Sequence, residues 1–262
     1  MPWIDTHCHF DASEFDADRD QLALSAMELG VSRIVIPGVE AANFDRVRAL
    51  ARRIPGGAYA LGIHPLYTPR ATEADLLSLR TQVEAALADP RFIGIGEIGL
   101  DYFVELDEAR QQHFFVEQLR IARDFDLPAI CHVRKSQDQV LKGLRRMGVN
   151  LGIAHAFNGS FQQAEAFIKQ GFRLGFGGNL TFDRARQIRR LAQQLPLEAI
   201  VVETDAPDIA PSWLYRQRND PTQLVGIGEA LAALREQSAE HIALCTTANA
   251  HLALPRLHLS PA

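Results

Sequence analysis

His7 and His9 flank a single cysteine at the end of a short apolar run that begins at Trp3-Ile4. Four more residues of metal-binding type end similar runs. Glu97 follows Phe92-Ile93-Gly94-Ile95-Gly96, His132 follows Ala129-Ile130-Cys131, His155 follows Leu151-Gly152-Ile153-Ala154, and Asp205 completes Ile200-Val201-Val202-Glu203-Thr204-Asp205. His64 stops Ala60-Leu61-Gly62-Ile63 in the same manner. A lone histidine at a strand end is usually a hydrogen-bonded core or surface residue. Imidazoles and carboxylates repeated at the same end of successive apolar runs are instead a ligand set for divalent cations. His7, His9, Glu97, His132, His155 and Asp205 are therefore the candidate ligands. Their number leaves room for a bridging carboxylate, so two metal ions are expected, an arrangement that activates a hydroxide and clamps attacking and leaving oxygens.

Strand side chains alternate between faces, so His7 and His9 point one way and Cys8 the other. The same parity puts Glu203 and Asp205 together and Thr204 opposite. Cys8, Cys131 and Cys245 are read as small buried hydrophobes rather than ligands. His113, His241, His251 and His258 fall in helices or the tail and are read as surface or structural.

The elements that must position these groups follow from the alternation of apolar, β-branched runs with amphipathic stretches. Strands are expected to end at His9, Ile36, Ile63, Glu97, His132, His155, Phe176 and Asp205. Helices are expected near 18–29, 41–53, 73–87, 108–125, 137–147, 161–169 and 184–194, with two more over 223–235 and 239–251. Strand followed by crossover helix is the pattern of a parallel sheet, and almost wholly apolar strands suit a sheet covered on both faces. Eight such units predict a (β/α)8 TIM barrel, with its site at the C-terminal ends of the strands. An open doubly wound sheet would spread the same residues along an edge. No linker interrupts the pattern, so residues 1–262 are expected to form one domain.

Composition restricts the function classes. The 262 residues are 47% hydrophobic and 23% charged, which suits a globular domain with a full core. No run approaches the ~20 apolar residues of a membrane helix, and the N-terminus shows neither a basic nor an apolar leader region. Three widely spaced cysteines do not predict a disulfide framework. A cytoplasmic monomer without membrane attachment is expected. A net charge of -5 argues against a broad basic face but allows a local basic rim.

Two glycine-rich stretches could mislead. Gly94-Ile95-Gly96-Glu97-Ile98-Gly99 matches the dinucleotide fingerprint. However, Leu100-Asp101-Tyr102-Phe103 opens no helix to receive a pyrophosphate, and Glu97 would repel it. The glycines are read as permitting a tight turn around a metal-binding glutamate. Gly175-Phe176-Gly177-Gly178 is read as a strand-to-helix turn rather than a phosphate nest.

Taken together, His7-Cys8-His9, Gly96-Glu97-Ile98-Gly99-Leu100-Asp101, His132-Val133-Arg134, His155-Ala156-Phe157-Asn158-Gly159 and Glu203-Thr204-Asp205-Ala206-Pro207 resemble the TatD family of metal-dependent deoxyribonucleases, within the amidohydrolase superfamily. The tract from His155 to Ala185 is similar to the YjjV-like branch. The resemblance runs in order along essentially the whole chain. It implies that His7, His9, Glu97 and Asp205 hold one metal, and that Glu97 bridges to a second held with His132 and His155. It further implies that Asp205 orients or deprotonates the attacking water, and that His64 lies near the substrate phosphate. Asn158 departs from the Ser or Thr of many members, and Lys135-Ser136 is less typical after Arg134; both bear on substrate fit. Other amidohydrolases bridge their metals with a carboxylated lysine on the fourth strand, but no lysine occurs between Met1 and Arg134.

The activity implied is hydrolysis of DNA phosphodiester bonds from a 3′ end of single-stranded DNA, with Zn, Mg or Mn as cofactor. Glu97, Asp205 and His64 are the candidate catalytic residues. Arg134 and Lys135 are candidate phosphate contacts together with His64, since guanidinium suits bidentate phosphate binding. Arg216 and Arg218, beside Trp213 and Tyr215 in the long loop after the eighth strand, either contact DNA by charge and stacking or anchor the loop. No sequence-reading element is visible, so contacts are expected through phosphates with little base specificity. The runner-up is a two-metal hydrolase of a small ester, lactone, amide or phosphoester, because fold and metals do not set the substrate. A metal-binding scaffold without catalysis is a third reading, and the full ligand set counts against it.

Overall fold

The chain folds as a parallel barrel in strict sequence order. A computed structural model describes residues 2–258; Met1 and residues 259–262, the two ends of the expected domain, lie outside the described residues. The strands are β1 (Trp3–Asp5), β2 (Val31–Pro37), β3 (Gly57–Leu61), β4 (Phe92–Asp101), β5 (Ala129–Arg134), β6 (Gly152–His155), β7 (Phe172–Phe176) and β8 (Ile200–Val202). Each is hydrogen-bonded to the next in parallel register. Backbone bonds from Thr6 N–H to Val202 O (3.2 Å) and from Asp205 N–H to His7 O (2.8 Å) draw β8 back to β1. The buried Asp5 carboxylate strengthens this seam by accepting from Thr204 N–H at 2.9 Å and from the Thr204 hydroxyl at 2.6 Å.

The helices are α1 (Arg19–Glu28), α2 (Phe44–Arg53), α3 (Glu73–Ala86), α4 (Glu108–Asp124), α5 (Gln137–Met147), α6 (Phe161–Lys169), α7 (Arg186–Gln194), α8 (Leu224–Arg235) and α9 (Ala239–Ala253). Their limits follow local chemistry. Thr72 with Asp75 and Ser160 with Gln163 form capping boxes at the starts of α3 and α6. Gly148, at φ 73°, ends α5 in the left-handed conformation that glycine adopts without steric cost. Helix α2 begins three residues later than its apolar spacing predicts, because Ala41–Asn43 forms a tighter 3-10 turn closed by the Asn43 side chain. Among the described residues no helix is long and apolar enough to cross a membrane.

Two apolar layers result. Outward strand residues such as Ile34, Ile95, Ile98, Cys131 and Leu174 pack with the helices, and Cys8 joins this layer as its parity predicted. The barrel interior is filled by Ile4, Val35, Ala58, Ala60, Ile93, Ile130, Ile153 and Val201. Ala250 and Ala253 of α9, with Leu254 and Leu257 beyond it, extend this interior cluster. That plug lies at the N-terminal end of the strands, where Arg256 donates from Nε to Phe92 O at the start of β4 (2.7 Å). The opposite end is left as a polar mouth.

Several strands do not stop where expected. Strand β1 ends at Asp5, β3 at Leu61 and β8 at Val202, so His7, His9, His64 and Asp205 sit on irregular backbone just beyond. In contrast, β4 continues past Glu97 to Asp101, and β5 continues past His132 to Arg134. The backbone beyond a strand can aim a side chain in directions the pleat forbids, and Asp205 does so at φ 56°. Glu97 achieves the same within β4. Register shifts between Ile95 and Ile98, so that one extra residue opposes β5. Such a bulge re-aims side chains, and here it turns Glu97 toward the mouth while Ile95 and Ile98 both face the helices. The fingerprint-like glycines therefore lie inside a strand, and no helix begins there.

Candidate metal centre

Glu97 occupies the middle of the mouth, 1% exposed, with its two oxygens facing different groups of imidazoles. Its Oε2 lies 3.2 Å from His7 Nε2 and 3.3 Å from His9 Nε2. Its Oε1 lies 3.0 Å from His132 Nδ1, 3.1 Å from His155 Nε2 and 3.3 Å from His64 Nε2. Asp205 Oδ1 stands 3.6 Å from Nε2 of both His7 and His9, on the Oε2 side. All six expected ligands converge, from β1, β4, β5, β6 and β8 or the turns after them.

These side chains are poorly satisfied by one another. His7 Nε2 and His9 Nε2 face each other at 3.3 Å, and His7 stacks on His155 with ring centroids 3.8 Å apart. Buried Glu97 Oε2 has no hydrogen-bond partner of good geometry among the described residues. Converging nitrogen lone pairs and carboxylate oxygens of this kind fit divalent cations, and three overlapping triads have ligand atoms within 4.8 Å of one another: His7-Glu97-His155, His7-His9-Asp205 and His64-Glu97-His132. Glu97 and His7 hold the protonation state that such a cation needs, whereas His9 (to about 9), His132 and His155 are raised in pKa, despite burial, by the carboxylates they face. Burial opposes the charge on Glu97, but the cluster of imidazoles around it outweighs that and holds the carboxyl well below its ordinary value. Burial, and then the neighbouring His155, push His7 well below the ordinary imidazole value, leaving its ring neutral.

His64 differs from the other histidines. Its Nδ1 accepts from Leu66 N–H at 3.1 Å, so a neutral ring carries its proton on Nε2, toward Glu97. Burial lowers its pKa to about 4. His64 is thereby presented to the mouth as a hydrogen-bond donor.

Supporting groups complete the site. Asp101 Oδ2 lies 3.0 Å from His132 Nε2, and Glu203 Oε1 lies 3.5 Å from His155 Nδ1 while accepting from Ala156 N–H at 2.5 Å. Two buried glutamines of α4 hold the turns that carry site residues. Gln118 bonds both backbone groups of Ile63 (2.6 and 3.0 Å), and Gln111 bonds both of Asp101 (2.8 and 3.0 Å). Sequence reasoning missed the roles of Asp101, Gln111 and Gln118. Glu203 had been grouped with Asp205 by parity, but it faces His155 rather than the His7–His9 pair. The only signal for Asp101 was its place in the fourth-strand motif, and nothing in the spacing of α4 marks its glutamines.

The mouth is a cleft of about 1170 Å³. Arg134 and Lys135 stand on its rim, both over the exposed ring of Phe103, at 3.9 and 4.6 Å from the centroid. Of the loop residues expected either to meet substrate or to anchor, Arg218 is an anchor. It pairs with Asp18 (2.5 Å) and covers the Phe15 ring. Trp213 is another, donating from Nε1 to Gln223 Oε1 at 2.9 Å. Tyr215 and Arg216 take no part in that anchoring.

Known proteins similar to this chain are numerous. The family model described as TatD related DNase matches residues 4–254. The chain is 38% identical over 243 residues to the uncharacterized metal-dependent hydrolase YjjV of Escherichia coli K12, covering 92% of this chain and 93% of that protein. A Haemophilus influenzae protein, also described as an uncharacterized metal-dependent hydrolase, is 36% identical across 95% of this chain and 98% of its own length. The crystal structure of Escherichia coli YjjV, a TatD homologue, superposes with a TM-score of 0.92 at 37% identity, over 97% of this chain and 98% of that one. A TatD family hydrolase from Entamoeba histolytica has the same fold at 18% identity, with a TM-score of 0.82 over 97% of this chain and 98% of that one. With the family model spanning nearly all of the barrel and the mouth built as described, the chain belongs to the TatD related DNase family and is a metal-dependent hydrolase.

Proposed function

We propose that this hydrolase uses two divalent ions to cleave DNA phosphodiester bonds, removing nucleotides from the 3′ end of a single strand as a monomeric, single-domain enzyme. The observation that carries the reading is the division of Glu97, one oxygen toward His7 and His9 and the other toward His132 and His155. His7, His9, Asp205 and Glu97 Oε2 would hold one ion, and His132, His155 and Glu97 Oε1 the other, with Zn, Mg or Mn as the candidates. Ions held there would supply activation of a water and positive charge to offset that developing on the phosphoryl oxygens.

The remaining roles belong to the chain. Asp205, whose Oδ1 lies beside the His7–His9 pair, accepts the proton of the attacking water on its other carboxylate oxygen. His64 donates from Nε2 to a phosphoryl oxygen, a placement worth most in a buried site where the dipole is already oriented. Arg134 and Lys135, steadied by Phe103, hold the flanking phosphate. The TatD related DNase description of the family supports DNA as substrate, as does this basic rim on a chain of net charge -5.

Metal content of the purified protein, measured alongside cleavage of end-labelled single-stranded DNA, tests the reading. Two ions per chain and stepwise shortening are expected, with both reduced in Glu97→Ala and shortening lost in Asp205→Ala. A protein holding two ions that cuts no phosphodiester would transfer the reading to a small ester, lactone, amide or phosphoester.

A further inference from the structure

A second cleft, of about 400 Å³, opens beside the metal mouth between the turns that follow β7 and β8. Asn179, Pro207, Asp208 and Ile209 line both cavities, so the two are continuous. The far wall combines aromatic rings with guanidiniums from two separate loops. Phe182 and Tyr215 meet edge to face at 6.0 Å. Arg184 lies over both rings, 5.1 Å from Phe182 and 5.6 Å from Tyr215, and Arg216 lies 5.2 Å from Tyr215. The two guanidiniums hold the Tyr215 hydroxyl below its ordinary value, Arg216 first and Arg184 second.

Three of these four side chains, all but the half-buried Phe182, are not spent on holding the fold. Tyr215 is 49% exposed, and both arginines are exposed. Neither arginine has an ion-pair partner among the described residues, whereas Arg189 and Arg218 nearby pair with Asp183 and Asp18. Among the described residues Asp208 is the one carboxylate lining the cleft, against two guanidiniums. Positive charge beside exposed ring faces is the composition that binds single-stranded nucleic acid, the rings stacking on bases and the cations meeting phosphates. The Phe103-Arg134-Lys135 cluster has the same composition, but it is built from the β4 and β5 ends of the barrel rather than from β7 and β8.

We propose that the cleft of Phe182, Arg184, Tyr215 and Arg216 is a second polynucleotide subsite, which holds nucleotides beyond the two joined by the phosphodiester that reacts in the metal mouth. This rests on the reading of the mouth as a DNA-cleaving site. It adds that the substrate is a strand extending beyond the reacting phosphodiester, with its continuation across the β7–β8 side.

The test is single-turnover cleavage by the metal-loaded enzyme of a dinucleotide and of a single strand of about twelve nucleotides, in wild type, Arg184→Ala, Tyr215→Ala and Tyr215→Phe. The expected result is a KM for the longer strand raised roughly tenfold in Arg184→Ala and Tyr215→Ala. The dinucleotide KM should be unchanged, the ring-retaining Tyr215→Phe should behave as wild type, and the salt slope should be shallower in Arg184→Ala. Equal losses on both lengths would mark a merely structural cluster and overturn the proposal, as would no loss on either. Anisotropy of a labelled phosphorothioate strand of the same length separates this idea from the reading of the mouth. If the wild type cuts no DNA yet its binding depends on Arg184 and Tyr215, the subsite stands and the nuclease reading falls. Absent or variant-insensitive binding overturns the subsite.

Discussion

Asp101 grips His132 from behind, with Oδ2 3.0 Å from Nε2, while Nδ1 of the same ring faces Glu97 at 3.0 Å. The carboxylate accepts from Nε2–H, so that in the neutral ring the Nδ1 lone pair is turned toward the metal centre. Carboxylates behind metal-binding imidazoles fix the tautomer and raise ligand basicity, and losing one typically costs about 10–100-fold in metal affinity or activity. Asp101→Asn is expected to fall in that range in a metal titration, with the circular dichroism spectrum unchanged. Wild-type affinity in this variant would show that His132 needs no orienting partner.

Gly175 supplies room for Glu203, whose Oε1 faces His155 Nδ1 at 3.5 Å. A Cβ built at Gly175 would lie 2.1 Å from Glu203 Oε2, inside any permitted contact. Gly175→Ala must therefore displace the Glu203 carboxylate that accepts from Ala156 N–H. Weakened binding of the ion proposed on the His132–His155 side is expected, seen as a separate, weaker step in a metal titration. Ser at the same position should behave likewise, since the clash is with the Cβ itself.

Gln118 tests whether the turn bearing His64 is held from α4. It is fully buried and bonds both the N–H and the C=O of Ile63. Gln118→Leu leaves both groups without partners, and each buried unsatisfied group costs about 1–3 kcal/mol. Lower stability in urea is expected, with a larger fractional loss in kcat than the same loss of stability brings when placed in α9. Unchanged stability would mean that water replaces the amide.

Asp89 predicts an acid-side stability change remote from the metal centre. It accepts from Arg52 Nη2 at 2.7 Å, the Tyr59 hydroxyl at 3.1 Å and Arg91 N–H at 3.0 Å. Burial resists its ionisation, yet the Arg91 amide, Arg52 and the Tyr59 hydroxyl together hold its pKa below the ordinary carboxylate value. A depressed folded-state pKa contributes stability that is present above the unfolded value of about 3.9 and lost as pH falls through the folded value. Asp89→Asn should therefore be less stable than wild type near neutrality, by about 1–2 kcal/mol. The gap should close below that window in denaturant melts run as a function of pH. A gap that stays constant into acid would assign the stabilisation to packing alone.

The eight strands, most helix limits and all six converging candidate ligands were legible in the chain, because burial on both faces forces strands to be apolar and makes each polar interruption conspicuous. The resemblance of the motifs named the chemistry in the same reading. Tertiary structure alone decided how the ligands point. Period-two alternation holds only inside a regular strand, and His7, His9, His64 and Asp205 lie beyond strand ends, while Glu97 lies on a bulge. The partition of Glu97 between two sets of imidazoles, Asp101 behind His132, the α4 glutamines under the turns, and the separation of Arg216 from Arg218 all depend on contacts between residues distant in sequence. Local pattern carries no record of such contacts, since a buried glutamine or a loop arginine has the same spacing whether or not a partner waits for it across the barrel.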